Sequence, residues 1–409
     1  MDYIDLSYKP GKKDLICEFY ITPSSGKELK EAINDVSGES SIGTWTDLST
    51  MKPRIVKELK PTAFEINGNY VKIAYPEALF EPGNMPCILS SVAGNIFGMK
   101  TVSALRMTDV FFPEKIIDSF MGPKFGIAGV RKIAGVSKRP LVGTIVKPKL
   151  GLNYEEHAQV AYESWSGGLD VVKDDENLTS QDFNPFEKRV TETLKMLAKA
   201  ENETGEKKIY MPNVTAESNE MLRRAKFVKK SGGTHIMVDV VTCGFSGIQT
   251  LREADFNLAI HAHRAMHAAL TRSKDFGVSM KVLAKTYRLI GVDQLHIGTA
   301  HVGKMEGSAK EVFDIENSLI EKMSDLKDVF PVASGGLHPG SIPPLIERMG
   351  ANIIAQFGGG VHGHPKGTKA GAAAVRQAAE GTMQGITLEE YAETHRELAE
   401  ALKKWGDKK

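Results

Sequence analysis

From about residue 140 onward, short apolar runs alternate with amphipathic helical stretches, and this alternation constrains the fold more than any other feature. Eight apolar runs can be counted: Leu141–Lys147, Leu169–Lys173, Lys208–Val214, His235–Val241, Leu258–His263, Gln294–Gly298, Val329–Ser334 and Asn352–Phe357. Eight β/α units predict a closed (β/α)8 TIM barrel. An open doubly wound sheet would show a similar alternation, but the count of eight favours closure.

Helical patterns occupy most of the intervals between these runs. The predicted helices are Tyr154–Ser166, Pro185–Ala200, Asn219–Lys230, Met280–Ile290, Ala309–Met323 and Ile342–Met349, and a charged amphipathic helix, Leu388–Trp405, follows the last run. Earlier in the chain, strand patterns at Leu15–Ile21, Thr62–Ile66 and Val71–Ala74 accompany a helix at Gly26–Asp35. We therefore expect an N-terminal α+β (ferredoxin-like) domain, residues 1–120, and a barrel domain, residues 121–409.

The composition excludes several classes of protein. The 409 residues carry a net charge of +1, so the chain lacks the basic footprint of a nucleic-acid binder. No apolar run approaches the length of a membrane span, and the acidic N-terminus does not resemble a signal peptide. The cysteines, Cys17, Cys87 and Cys243, are odd in number and far apart, which fits neither a disulfide framework nor a zinc site. We expect a cytoplasmic protein with no nucleic-acid or membrane partner.

The second apolar run ends abruptly in a lysine and three carboxylates, Lys173-Asp174-Asp175-Glu176. Side chains alternate along a strand, so Lys173 and Asp175 should point the same way, and Glu176 joins them once the chain turns. Two carboxylates would hold a hard cation such as Mg²⁺. An ammonium would repel that cation, but addition of CO2 to the neutral amine makes a carbamate, a third anionic oxygen ligand. Taken alone, such a strand end is more often a solvated turn.

Other runs also end in chemically active residue types, and barrels of this kind carry their active sites at the carboxyl ends of the strands. These residues are Lys147, Lys149, His261, His263, Arg264, His296, Lys304, Ser334, Gly335, Gly336, Gly358, Gly359 and Gly360. Each alone is more often surface charge, a core histidine or a tight turn. Their common position favours function, because the alternation was recognised without using the charges.

The glycines at the ends of the last two runs suit phosphate, since their backbone N–H groups can approach an anion closely. Arg264 and His296 would form a second phosphate site, and Lys304 lies on a glycine-hinged loop that can close over a ligand. The expected ligand is therefore a small bisphosphate bound across Mg²⁺. A dinucleotide is not expected, because no Gly-x-Gly-x-x-Gly follows the first run.

Several of these segments together resemble the large subunit of ribulose-1,5-bisphosphate carboxylase/oxygenase (Rubisco), and the sequence is closest to archaeal form III. The matching segments are Gly143–Leu152, Gly168–Asn177, His261–His267, His296–Gly307, Ser334–Gly336, Phe357–Gly360, Glu39–Trp45 and Ala93–Gly98. The resemblance implies carboxylation of ribulose-1,5-bisphosphate to two 3-phosphoglycerates through an enediolate, with competing oxygenation by O2. It further implies a role in nucleotide and pentose salvage.

The resemblance assigns a role to each matching residue. Lys173, as a carbamate, would bind Mg²⁺ with Asp175 and Glu176 and act as the base. Lys147 would protonate the final carbanion, Lys149 and His263 would assist proton transfer, and Lys304 would steady CO2 and the new carboxylate. One end of the sugar bisphosphate would be bound by Arg264, His296 and Ser334. The other phosphate would be bound by Gly335, Gly336, Gly358, Gly359, Thr44 and Trp45.

The resemblance also implies an assembly. Glu39, Thr44, Trp45 and Asn95 would come from the neighbouring subunit, so that the smallest active unit is a homodimer, alone or in larger assemblies without a small subunit. Three residues depart from the plant-type pattern: Ile145, Ile297 and, inside the mobile loop, His301. Form III members tolerate the first two, whereas His301 has no explanation.

Two other interpretations stay open. A Rubisco-like protein would share the fold and the metal site but catalyse enolisation or isomerisation of another phosphorylated compound. A non-catalytic oligomeric scaffold is the more remote interpretation, because it has no reason to keep Lys147, Lys173 and Lys304 together.

Overall fold

The structure is a computed structural model that describes residues 1–304 and 308–406. The backbone forms two compact units. The first comprises Met1–Gly122, Met266–Ile290 and Lys322–Leu326, and the second comprises Pro123–Ala265, Gly291–Glu321 and the chain from Lys327 onward.

The chain folds into short strands and helices joined by loops. The strands are β1 (Asp14–Pro23), β2 (Thr62–Asn67), β3 (Tyr70–Pro76), β4 (Val102–Phe111), β5 (Leu141–Ile145), β6 (Val171–Lys173), β7 (Ile209–Met211), β8 (His235–Asp239), β9 (Ala259–His263), β10 (Phe276–Val278), β11 (Gln294–His296), β12 (Phe330–Ser334) and β13 (Ile354–Phe357). The α-helices are α1 (Leu29–Glu39), α2 (Pro53–Leu59), α3 (Met85–Val92), α4 (Glu114–Ile117), α5 (Gly126–Ala134), α6 (Tyr154–Ser166), α7 (Phe186–Thr204), α8 (Ser218–Lys230), α9 (Val240–Glu253), α10 (Ala268–Thr271), α11 (Met280–Ile290), α12 (Ala309–Ile320), α13 (Ile342–Met349), α14 (Gly359–His362), α15 (Thr368–Met383), α16 (Leu388–Ala392) and α17 (Arg396–Trp405). Short 3₁₀ helices span Glu77–Leu79, Asn95–Gly98 and Pro339–Ser341.

The first unit is built on a sheet of order β10-β4-β1-β3-β2. Its four N-terminal strands pair antiparallel, and their order with α1 and α3 is that of a ferredoxin-like domain. Every second residue of β1 is buried, because one face of the sheet packs against the apolar side of α1. The short strand β10, which the sequence pattern did not reveal, adds to β4 in parallel.

The second unit contains a barrel of eight parallel strands in the order β7-β6-β5-β13-β12-β11-β9-β8. A bridge between Asn213 and Met237 joins the two ends of this order, with Val214 N donating to Met237 O at 2.9 Å and Met237 N to Pro212 O at 2.8 Å. The predicted TIM barrel is therefore confirmed. Apolar strand side chains fill its core, and α5 packs against that core through Val130 and Ala134.

All eight predicted strands are present, and each is shorter than the apolar run that predicted it. The helix expected at Gly26–Asp35 lies slightly later, at Leu29–Glu39. The single helix expected at Leu388–Trp405 is wrong, because the chain forms α16 and α17 with a break between them. At that break the His395 ring Nδ1 donates to Tyr391 O at 2.7 Å and so takes a carbonyl that a continuous helix would have used.

Candidate functional site

The site at the carboxyl ends of the barrel strands is centred on Lys173, the last residue of β6. Its side chain is almost completely buried, 1% exposed. The Lys173 Nζ donates to Asp174 O at 2.9 Å and lies 3.2 Å from Met237 Sδ, and it has no carboxylate partner among the described residues. Burial lowers the pKa of Lys173, and the negative charges of Glu176 and Asp175 only partly oppose this effect.

The two carboxylates that follow are each paired with another lysine. Asp175 is buried and accepts from Lys147 Nζ at 2.5 Å, whereas the half-buried Glu176 accepts from Lys149 Nζ at 3.3 Å. Burial raises the pKa of Glu176, but the charges of Lys173 and other neighbouring groups outweigh it and bring the pKa to about 2. Glu176 is therefore ionised at neutral pH, and Lys173 shares in neither of the two ion pairs.

Asp174, the remaining carboxylate of this segment, points into the protein and anchors it. Asp174 accepts from Arg189 Nε at 3.0 Å, from Tyr210 OH at 2.7 Å and from Asn213 N at 2.9 Å, and it faces the buried His157. These groups hold the pKa of Asp174 well below its usual range despite its burial. The anchor fixes the backbone from which Lys173 and Asp175 project.

His263, at the end of β9, is oriented by a carboxylate that the sequence reasoning did not single out. Its Nδ1 lies 2.8 Å from Asp239 Oδ1, and its Nε2 lies 3.8 Å from Glu176 Oε2. Asp239 is itself held by Thr215, whose Oγ1 accepts from Asp239 N at 2.9 Å. Since Asp239 ends the fourth barrel strand, its position at a strand end was the signal that could have identified it.

Arg264 and His296 lie on the same side of the barrel mouth. The Arg264 guanidinium has no hydrogen-bond or ion-pair partner among the described residues, and removal from water lowers its pKa to about 10. The rings of His296 and His263 meet edge to face with centroids 4.8 Å apart. His296 Nδ1 lies 2.8 Å from Ser334 Oγ. An unpaired guanidinium beside two imidazoles suits an anionic ligand.

The loop after β11 reaches the turn after β12. Lys304 N donates to Gly335 O at 3.0 Å, and Gly336 has a φ of +78° with Lys304 directly against it. Ala300 and His301 both have left-handed φ values, +47° and +68°, which are unfavourable for residues with a Cβ. The rest of the predicted loop motif, residues 305–307, lies outside the described residues.

Gly358, which follows β13, lies close to Lys147, which follows the first barrel strand, β5. A Cβ on Gly358 would be 3.4 Å from Lys147 Cε, whereas Gly359 begins α14 with open space around it. The structure therefore brings together all the predicted barrel residues that it describes at the ends of β5, β6, β9, β11, β12 and β13.

The four predicted N-terminal residues gather in the first unit. Glu39, Thr44, Trp45 and Asn95 line one cavity of about 1070 Å³, and Asn95 Nδ2 donates to Glu39 Oε1 at 3.2 Å. Trp45 is 90% exposed. An exposed indole of this size is a surface that a ligand or a partner can cover.

No group of three or more His, Cys, Asp or Glu side chains among the described residues is arranged to hold a metal ion. Asp175 and Glu176 supply only two carboxylates, so the predicted site needs a third oxygen ligand. The buried amine of Lys173, which has no carboxylate partner among the described residues, lies beside these two carboxylates.

The described helices include none that is long and apolar enough to cross a membrane.

Comparison with known proteins identifies the family. Residues 126–405 match the model of the ribulose bisphosphate carboxylase large chain, catalytic domain, and residues 2–116 match the model of its N-terminal domain. The chain belongs to the Rubisco large-chain family. A ribulose bisphosphate carboxylase of Methanocaldococcus jannaschii is 53% identical, with 99% of this chain and 100% of the relative covered, and one of Methanosarcina mazei is 52% identical, with 99% of each covered.

Solved Rubisco structures have the same fold. An octameric Rubisco from Pyrococcus horikoshii OT3 superposes with a TM-score of 0.96 at 47% identity, covering 100% of this chain and 97% of that one. A dimeric archaeal Rubisco from Hyperthermus butylicus gives 0.92 at 47% identity, covering 99% and 98%. The expected family and its archaeal affinity are confirmed.

The Rubisco resemblance named residues that lie at the barrel mouth, but it gave no role to the buried residues that fix their positions. Asp174, Arg189 and Tyr210 act through buried contacts whose partners are far apart in sequence. Only the folded chain brings them together.

Proposed function

We propose that this Rubisco-family chain carboxylates ribulose-1,5-bisphosphate with CO2 to give two molecules of 3-phosphoglycerate, and that O2 competes for the same enediolate. The observation that carries the proposal is the buried Lys173 amine, which has no carboxylate partner among the described residues and lies beside the carboxylates of Asp175 and Glu176. Only a neutral amine reacts with CO2, giving a carbamate and releasing a proton. Burial favours that neutral form.

The donor set fits Mg²⁺, which prefers carboxylate oxygens. Asp175 and Glu176 would hold the ion together with the carbamate on Lys173. When bound, Mg²⁺ supplies Lewis-acid chemistry, polarising the carbonyl next to the carbon that loses its proton. Both carboxylates are paired with lysine ammonium groups, so each already faces positive charge, and Mg²⁺ would take the place of these partners.

The remaining residues have roles that follow from their contacts. Removal of the C3 proton allows C2 to form a bond with CO2; water then adds at C3, the C2–C3 bond breaks, and the resulting carbanion takes a proton. Lys147, which donates to Asp175 in this cluster, would supply that final proton. His263, held by Asp239, exchanges protons beside Glu176, and Lys304 offers positive charge to the new carboxylate.

The substrate's two phosphates would be held at different groups. The Arg264 guanidinium, with His296 beside it, supplies the positive charge of one site. The backbone of Gly336, Gly358 and Gly359 supplies the other. We further propose that Thr44, Trp45, Glu39 and Asn95 complete the site of a neighbouring subunit in a homodimer. The relatives named octameric and dimeric support an assembly of this kind. The physiological role proposed is nucleotide and pentose salvage.

The test is fixation of labelled bicarbonate into acid-stable product with ribulose-1,5-bisphosphate and Mg²⁺, under anaerobic conditions after preincubation with CO2. We expect label in 3-phosphoglycerate for the wild type and none for Lys173→Ala. Lys208→Ala is the matched control, because Lys208 is also a buried lysine but bonds Leu169 O and Glu206 at the start of β7. Activity that survives in Lys173→Ala would reject the site assignment. No label from folded wild type would redirect the proposal to enolisation or isomerisation of another sugar phosphate.

A further inference from the structure

Four side chains on three adjacent barrel strands form one hydrogen-bonded chain that ends at the barrel mouth. His261 Nδ1 lies 2.7 Å from Gln294 Oε1, His261 Nε2 lies 2.8 Å from His296 Nε2, and His296 Nδ1 lies 2.8 Å from Ser334 Oγ. Gln294 and His261 are fully buried, and the half-buried Ser334 is the last residue of β12. The chain thus connects the barrel core to a residue proposed to touch substrate.

The chemistry of its first member sets the direction of the whole chain. The Gln294 amide oxygen can only accept, so His261 Nδ1 must carry the proton and donate it. A neutral His261 then has a bare Nε2, which accepts from His296 Nε2–H. His296 in turn has a bare Nδ1, which accepts the Ser334 hydroxyl proton. Both rings are neutral, because burial lowers the pKa of His261 and of His296 well below the usual value.

We infer that Gln294 is a positioning residue which, through His261 and His296, makes the Ser334 hydroxyl a hydrogen-bond acceptor toward the ligand. With its proton directed inward, the Ser334 oxygen offers only lone pairs to the barrel mouth. It therefore selects a hydroxyl of the sugar chain and disfavours a phosphoryl or carboxylate oxygen at that place. The identity of the ligand rests on the proposed function, whereas the direction of the hydrogen bonds does not.

The opposite orientation of the Gln294 amide would reverse every link. Gln294 Nε2 would donate to His261, His296 would donate to Ser334, and the Ser334 proton would point toward an anion. The two directions differ in which ring nitrogen of each histidine carries the proton, which is a measurable property that does not depend on turnover.

The first measurement is the tautomer of both rings in the wild-type protein, by ¹⁵N NMR of histidine-labelled chain without substrate. His261→Asn and His296→Asn identify the two ring signals. We expect the Nδ1–H form for His261 and the Nε2–H form for His296. The reverse pair of tautomers, or a protonated ring at neutral pH, would overturn the inference whether or not the chain fixes CO2.

The second measurement compares Gln294→Met with Gln356→Met. Gln356 is also fully buried in the barrel, and its amide has no hydrogen-bond partner among the described residues, so this control removes an amide without touching the histidines. In Gln294→Met we expect His261 to lose its single tautomer and KM for ribulose-1,5-bisphosphate to rise about fivefold, the loss of one neutral hydrogen bond, with kcat little changed.

Gln356→Met should leave both tautomers and KM as in the wild type. Adding Gln294→Met to Ser334→Ala should have no further effect on KM, because the chain then has no hydroxyl to direct. Equal KM changes in Gln294→Met and Gln356→Met, or additive effects with Ser334→Ala, would contradict the inference. A wild type that fixes no CO2 would refute the proposed function while leaving the tautomer measurement decisive.

Discussion

The contact between Gly336 and Lys304 allows a sharp test of whether the position of Lys304 matters for activity. An alanine Cβ at 336 would lie 2.7 Å from Lys304 Cγ, 2.9 Å from its Cβ and 2.9 Å from its backbone N. The last contact is with backbone that is held to Gly335 O, so a flexible side chain cannot relieve it. Gly336→Ala must therefore displace Lys304 itself.

The expected magnitude has two parts. A residue with a Cβ at a φ of +78° costs roughly 1–2 kcal/mol of folding free energy, which lowers the melting temperature by only a few degrees. A displacement of about 1 Å of a group that acts on the reacting atoms costs on the order of 100-fold in rate. We therefore expect a folded protein whose kcat/KM is roughly 100-fold lower.

Gly385→Ala separates these two parts. Gly385 has nearly the same φ, +75°, but a Cβ there would meet no atom within 4 Å. Thermal unfolding and initial rates of label fixation should be measured for both variants at equal concentrations of folded protein. Both should lose similar stability, and only Gly336→Ala should lose activity. Wild-type kcat/KM in Gly336→Ala, or an equal loss in Gly385→Ala, would refute the reasoning.

Three further predictions follow from other parts of the barrel. Asp239→Asn should lower kcat roughly 10–100-fold in fixation assays, because the carboxylate that orients His263 is lost; an unchanged kcat would remove His263 from the mechanism. His235→Leu should make stability less sensitive to acid. Burial lowers the pKa of His235 to about 3, so the unfolded chain binds a proton below pH 6.5 that the folded chain does not, and the wild type loses about 2 kcal/mol relative to the variant between pH 7 and pH 5. Urea unfolding of both proteins at the two pH values measures this, and parallel losses would contradict it. Activity should require preincubation with CO2 and Mg²⁺, since Lys173 must first form its carbamate; full activity without preincubation, shown by a linear progress curve from the first turnover, would oppose that assignment.

Much of the fold could be predicted because a barrel imposes a periodic pattern on its sequence. Buried parallel strands demand apolar runs, and the helices between them demand amphipathic stretches, so Tyr154–Ser166 and Met280–Ile290 were predicted with their observed bounds. Strand β10 was not predicted, because its three residues are half-buried or exposed and show no apolar pattern. The helix break at His395 was not predicted, because it depends on a single hydrogen bond from the His395 ring to the carbonyl of Tyr391.

The candidate site was predictable to the extent that its residues stand at strand ends. Position along the chain identified Lys173, Asp175 and Lys147, since every strand of a barrel delivers its last residues to one face. It could not identify Asp239 as the partner of His263, or Gln294 as the end of a hydrogen-bonded chain. Those assignments depend on side-chain contacts between neighbouring strands, which only the register of the barrel determines.

The direction in which the pKa of Lys173 is shifted follows from the structure and could not be decided from the sequence. From the sequence, neighbouring lysines favour a neutral amine and neighbouring carboxylates oppose it, with nothing to decide between them. In the folded chain, Asp175 and Glu176 are paired with Lys147 and Lys149, while Lys173 is buried against a carbonyl and a thioether. Desolvation therefore dominates, and the lysine nearest the carboxylates in sequence is the one without an ion pair among the described residues. The charges of Glu176 and Asp175 raise the pKa of the exposed Lys149 and so oppose its reaction with CO2. For Lys173 the same charges are outweighed by desolvation, so burial, more than proximity to the carboxylates, favours Lys173 over Lys149.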